Sequence, residues 1–211
     1  MYVPTPNEKQ FELPPAGTHL AVCYRVIDLG TQSSTYMGQA KRQHKVLVSW
    51  ELPDERMSDN RPFTIGQRYT WSMSEKAALR RDLESWRGVP FQEKDFGQGG
   101  FDIKNIIGKA CLLNVVHTEK GGKQYANIAS ISRLMKGQQG PSASENDTAY
   151  LWIHPDRWDG AVFGKLSDNM KALIMQSPEY ASLKNGHDNG HDEPPPADAD
   201  SYGALNDDIP F

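Results

Sequence analysis

Cysteine is scarce in these 211 residues, with Cys23 and Cys111 the two present. Two thiols build neither a disulfide framework nor a thiolate metal site, which excludes a stapled secreted scaffold and a zinc ribbon and implies a reducing compartment. Long apolar runs are also missing. Ala110–Val116, broken by Asn114, is among the longest, far below the ~20 residues that span a bilayer. Met1-Tyr2-Val3-Pro4-Thr5-Pro6 lacks the basic and apolar blocks of a secretory leader. A cytoplasmic protein without membrane contact is expected. Gly97-Gln98-Gly99-Gly100 has no following Lys-Ser/Thr and is not a phosphate loop. Asp54-Glu55 and the Asp82/Glu84 pair have no histidine at readable spacing. The expectation is therefore a non-enzyme, with no catalytic residue, metal site or cofactor.

What is present is a polarised charge distribution. Residues 187–211 hold seven acids and no Lys or Arg, so residues 1–186 carry 23 basic and 20 acidic groups, a net charge of +3. A mildly basic body with an acidic tail suits a polyanionic partner better than the net charge of −4 suggests.

Apolar alternation over Gly17–Leu29, Lys45–Leu52 and Phe63–Met73 predicts three strands. The polar stretch Gly30–Lys45 reads as a long loop or mobile hairpin tip. Ser74 is the expected cap of a helix bearing Ala78, Leu79, Leu83 and Trp86 and ending at Gly88. Asp102 is placed to cap a short helical turn over Ile103–Ile107. Strands over Ala110–Thr118 and Lys123–Leu134 follow, joined by Lys120-Gly121-Gly122-Lys123, a hairpin signal. Five strands with a helix between the third and fourth predict a mainly β chain, a five-stranded Greek-key barrel of the oligonucleotide-binding type. The expected organisation is this barrel over 1–135, a polar linker over 136–149, and a short helical extension over 150–184, with helix starts at Ser167 and Ser177. A disordered acidic tail over 185–211 completes it. Cys23 and Cys111 fall on strands as buried hydrophobes. The His187–Asp192 tract reads as solvated rather than as a metal site.

The last five residues, Asp207-Asp208-Ile209-Pro210-Phe211, carry the most specific signal. An acidic tail with this ending resembles the terminal peptide of bacterial single-stranded DNA-binding proteins. The resemblance implies a docking tip for replication, recombination and repair enzymes. Its physical logic is independent of the family: Phe211 supplies an aromatic anchor and an α-carboxylate for a cation beside the pocket. Ile209 and Pro210 pack and stiffen, and Asp207 and Asp208 steer towards a basic rim. Ser85-Trp86-Arg87-Gly88, Gly108–His117, Tyr125-Ala126-Asn127-Ile128 and Lys165-Leu166…Ser177-Pro178-Glu179-Tyr180 look like a set of phage-encoded proteins with the same barrel. The location implied is then the host cell cytoplasm. The Tyr36-containing stretch and the 150–183 extension depart from the bacterial host pattern and put host-type tetramerisation in doubt. A homo-oligomer stays open.

Non-specific single-strand binding needs cations that follow phosphates and aromatic faces on which bases stack. The candidate DNA-binding set is Tyr36, Lys41, Arg42 and Lys45 after the first strand, Arg68 and Trp71 on the third, and Lys120, Lys123 and Tyr125 on the last hairpin. His44 adds a potentially basic group to the first cluster. Trp50 and Trp71 lie in phase with apolar neighbours, which favours core packing unless a bulge turns their rings outward. The expected function is coating and protecting single-stranded DNA and recruiting partner enzymes through the tip. A rival reading is a protein-binding adaptor or inhibitor that mimics the tip of the host protein.

Overall fold

In the computed structural model, residues 12–36, 39–96 and 100–185 are described. The acidic tail, its Asp207–Phe211 tip and the His187–Asp192 tract lie outside them, as does the Tyr36 side chain. The described residues are mainly β, with a six-stranded sheet and short helices. Strands β1 (Gly17–Tyr36), β2 (Gln39–Arg56) and β3 (Pro62–Thr70) are followed by helix α1 (Ala78–Arg87). Then come β4 (Ala110–Lys120), β5 (Lys123–Ser132) and the short β6 (Ala149–Leu151). The order across the sheet is β3-β2-β1-β4-β5, with antiparallel neighbours, and β6 adds parallel to β1 at Arg25–Ile27.

Alternation explains the core. Ala21, Cys23 and Val26 of β1, Val46, Val48, Trp50 and Leu52 of β2, Phe63, Ile65 and Tyr69 of β3, and Cys111, Leu113 and Val115 of β4 form one apolar cluster. Burying an aliphatic or aromatic side chain of this size stabilises by about 1.5–3 kcal/mol. Burial pushes the Cys23 thiol up to about 12 and raises that of Cys111 as well, so both act as packing groups. Helix α1 contributes Leu79, Leu83 and Trp86 to this cluster. The Ser85 hydroxyl donates to the Ile131 carbonyl at 2.6 Å and the Trp86 indole N–H to the Ala110 carbonyl at 2.8 Å, tying the helix to β5 and β4.

Three local expectations need correction. The Gly30–Lys45 stretch is no long loop: β1 runs on to Tyr36, β2 begins at Gln39, and the register continues from Thr31↔His44 to Tyr36↔Gln39. A hairpin arm outside the core has no apolar face to alternate, so periodicity is blind to it. Helix α1 starts later than the Ser74 signal, with Ala77 at the N-cap and no side-chain cap bond. Trp71 is not a core residue. Strand β3 stops at Thr70, the Ser72 N–H turns back to the Thr70 carbonyl at 2.8 Å, and the ring is 38% exposed, whereas Trp50 is buried.

Other local signals match. The Asp102 side chain accepts the Lys104 N–H at 3.0 Å and caps the turn Ile103–Ile106. Gly121 and Gly122, at φ +59° and +75°, make the two-residue turn between β4 and β5 that residues with a Cβ adopt only under strain.

The segment after β5 is tied to the sheet. Glu51, fully buried, accepts the N–H groups of Glu145 and Asn146 at 2.8 Å each. Helices α2 (Gly160–Gly164), α3 (Asp168–Met175) and α4 (Pro178–Asn185) follow β6. Leu151, Ile153, Leu166, Met170 and Ile174 pack on Ile27, Leu29 and Leu47, a second apolar cluster on the face of β1–β2 opposite the main core. Ser177 begins α4 as its position suggests, its hydroxyl oxygen accepting the Tyr180 N–H at 3.2 Å.

Candidate nucleic-acid interface

The register of β2 and β3 sets the geometry. Lys45 stands opposite Thr70 and Leu47 opposite Arg68, which puts Lys45 and Arg68 on the face that Val46, Val48 and Trp50 do not occupy. The Lys45 ammonium donates to Thr70 Oγ1 at 3.1 Å and Gln43 Oε1 at 3.0 Å. The Trp71 N–H donates to the His44 carbonyl at 2.7 Å, and its ring lies 5.5 Å from the His44 ring at 45°. Lys41 and Arg42 lie further out on the same hairpin arm, opposite Ser34 and Ser33. The structure therefore sets Trp71 against His44 on the face of Val46, puts Lys45 and Arg68 on the opposite face of the same strands, and continues β2 outward through Lys41 and Arg42.

It does not bring Lys120, Lys123 and Tyr125 into that group. Lys120 stands opposite Lys123 and Thr118 opposite Tyr125, on the part of the β4–β5 hairpin that extends past the Gly17 end of β1. The Lys41–Lys45 arm extends past the other end. The two basic clusters thus flank the sheet, as the loop positions imply, instead of merging.

Periodicity missed the group that anchors the first cluster. Asp28, fully buried, accepts His44 Nε2–H at 2.6 Å and the Gly30 N–H at 2.8 Å through Oδ1, and the Ile153 N–H at 3.1 Å through Oδ2. Glu179 on α4 accepts the Thr31 N–H at 2.8 Å and the Thr31 hydroxyl, with an oxygen 3.6 Å from His44 Nδ1. Burial works against the charged imidazole, but the Asp28 hydrogen bond and the charges of Asp28 and Glu179 outweigh it, and the His44 pKa is raised. Burial likewise pushes the Glu179 carboxyl up, but the Thr31 hydrogen bonds prevail and the net shift is downward. The available signal was a lone carboxylate, Asp28, in an apolar strand, which demands a partner.

The chain matches no protein-family model and no curated protein. The likeness in the Asp207–Phe211 peptide and the body segments therefore rests on those residues alone. Among the described residues, no group of three or more His, Cys, Asp or Glu side chains is placed to hold a metal ion. Among them, too, no helix is long and apolar enough to cross a membrane.

The arrangement offers two capabilities. Trp71 presents an aromatic face on which a base can stack, worth ~1–3 kcal/mol per base. Lys41, Arg42, Lys45 and Arg68 supply cations along β2 and β3 that can pair with phosphates.

Proposed function

We propose that this chain binds single-stranded DNA without sequence preference, coating and protecting it during replication, recombination or repair, and recruits partner enzymes through the Asp207–Phe211 peptide. The observation that carries the reading is the exposed Trp71 ring on His44, at the base of the hairpin arm that bears Lys41 and Arg42. An aromatic that a short apolar-phase strand would bury is held at the surface against His44, where base stacking gives it a use.

The fold this reading implies is the oligonucleotide-binding barrel. Support comes from the strand order, from α1 packed between β3 and the β4–β5 pair, and from the approach of edge strands β3 and β5 to each other. In such barrels the face of the second and third strands binds the nucleic acid, flanked by the first-to-second and fourth-to-fifth strand connections. Lys45 and Arg68 on β2 and β3, Trp71 just past the end of β3, and the basic groups of the two connections are the residues this reading assigns to the path.

The test is a titration of fluorescently labelled oligo-dT against duplex and RNA of the same length with the full-length protein. Tight binding to oligo-dT and much weaker binding to duplex are expected. Absence of single-strand binding at low salt, with and without residues 186–211, overturns the reading, and an enzyme bound through the intact tip then makes this chain an adaptor.

A further inference from the structure

Strand β6 carries a second aromatic and basic group that the sequence reading does not use. Its register, Arg25↔Ala149 to Ile27↔Leu151, sends Ala149, Leu151 and Ile153 into the apolar cluster under α3. The alternate residues Tyr150, Trp152 and His154 take the other side and are each only partly buried. The rings of Trp152 and His154 lie 4.9 Å apart at 38°. The Arg157 guanidinium sits 5.4 Å from the Trp152 ring, and the Lys104 ammonium 5.5 Å from the Tyr150 ring. Both cations are on exposed residues. The Asp156 N–H donates to His154 Nδ1 at 3.2 Å, which leaves the proton of the neutral ring on Nε2.

This group is linked to the first. The carboxylate of Asp28 that holds His44 through Oδ1 holds the Ile153 N–H, between Trp152 and His154, through Oδ2. Two hydrogen bonds on one buried side chain thus separate the His44–Trp71 pair from the Trp152–His154 pair. Tyr150 packs in part against the main core, but Trp152, with the exposed Arg157 against its ring, belongs to neither apolar cluster. Aromatic faces interleaved with cations are what a single strand needs, since bases stack on the former and phosphates pair with the latter.

We propose that Trp152, His154 and Arg157, with Tyr150 and Lys104, form a second contact surface for the same single strand, separate from Trp71 because Val26–Gly30 of β1 between them is buried. This rests on the single-strand reading above and adds a role for the segment after β5: it supplies part of the binding surface as well as packing against β1–β2. Arg157, being exposed, is free to leave the Trp152 face and pair with a phosphate when a base takes its place.

The experiment uses full-length protein and iodouridine-substituted oligonucleotides of about 6 and about 20 nucleotides, one near the lower end of the roughly 4–16 nucleotide site sizes of such barrels and one beyond the upper end. Photocrosslinked peptides are mapped by mass spectrometry, and affinities are measured for the wild type and for Lys104→Glu/Arg157→Glu, which changes exposed residues only. The expected result is a crosslink in the peptide carrying Trp152, together with a roughly tenfold or greater loss of affinity for the longer oligonucleotide in the double variant. Crosslinks confined to the β1–β2 arm and Trp71, with the double variant binding like the wild type, overturn this inference and leave the first site standing. No crosslink and no binding by the wild type overturns both.

Discussion

Glu179, on the last described helix, accepts the backbone N–H of Thr31 at 2.8 Å across 148 residues of chain. The bond falls where β1 leaves the core and becomes the outer arm. Gly30, next to Thr31, has φ +67°, and a Cβ there would stand 2.4 Å from the Ser177 Cβ, so only glycine lets α4 seat this closely. The C-terminal helices are thereby fastened to the base of the arm that carries Lys41 and Arg42.

Glu179→Ala removes two charge-assisted hydrogen bonds in a part-buried setting. A loss of about 1–3 kcal/mol in unfolding free energy is expected from bonds of this kind. Backbone amides of Thr31–Tyr36 should also exchange faster, since the arm's base is freed. Urea denaturation and hydrogen exchange check the two parts. An unchanged midpoint with unchanged exchange would show that the clasp does not hold the arm.

Stability should depend on pH through His44. Its raised pKa means that the folded state favours the imidazolium, so this contribution is fully present below the ordinary value of 6.5 and is lost as pH rises through the folded value. Glu179, lowered from 4.5, acts in the opposite sense: its contribution is present above that value and lost as pH falls through the folded one. The clasp is therefore strongest in mildly acidic solution. Urea midpoints of the wild type and His44→Gln, measured at about pH 6 and about pH 9, should lie further apart at the lower pH. A gap that does not change with pH contradicts the assignment.

Trp71→Ala should leave the fold intact, because the ring is partly exposed and outside both apolar clusters. Affinity for oligo-dT should fall by ~5–150-fold, the equivalent of one lost stacked base. Anisotropy titration reads this directly, with circular dichroism as the control for folding. Wild-type affinity in a folded variant would remove Trp71 from the interface.

The parts of the fold legible in the sequence are those governed by period and turn chemistry. Val46, Val48, Trp50 and Leu52 announce β2, Gly121-Gly122 the last hairpin, and Asp102 its helical turn, because each signal is local. For the outer arm over 30–45 the sequence leaves a loop and a hairpin tip both open and does not show the continuous pairing. That pairing depends on backbone hydrogen bonds that polar side chains neither require nor forbid. Phase alone carries β3 through Trp71, and the backbone turn after Thr70 breaks that phase. The Asp28–His44–Glu179 group joins residues far apart in the chain, so only the tertiary packing of α4 on β1 brings it together. Lys45, Arg68 and Trp71 are nameable one by one, whereas the β2–β3 register decides that Lys45 and Arg68 share a face and that Trp71, against His44, takes the other.

The most direct test of the central claim is the salt dependence of oligo-dT binding by the full-length wild type and by Lys41→Ala/Arg42→Ala. If these two cations neutralise phosphates, the slope of log K against log salt becomes shallower by about 1.4 in the variant, roughly 0.7 for each single-strand phosphate that is no longer neutralised. Equal slopes, or no binding by the wild type, would contradict a nucleic-acid path along the β1–β2 arm.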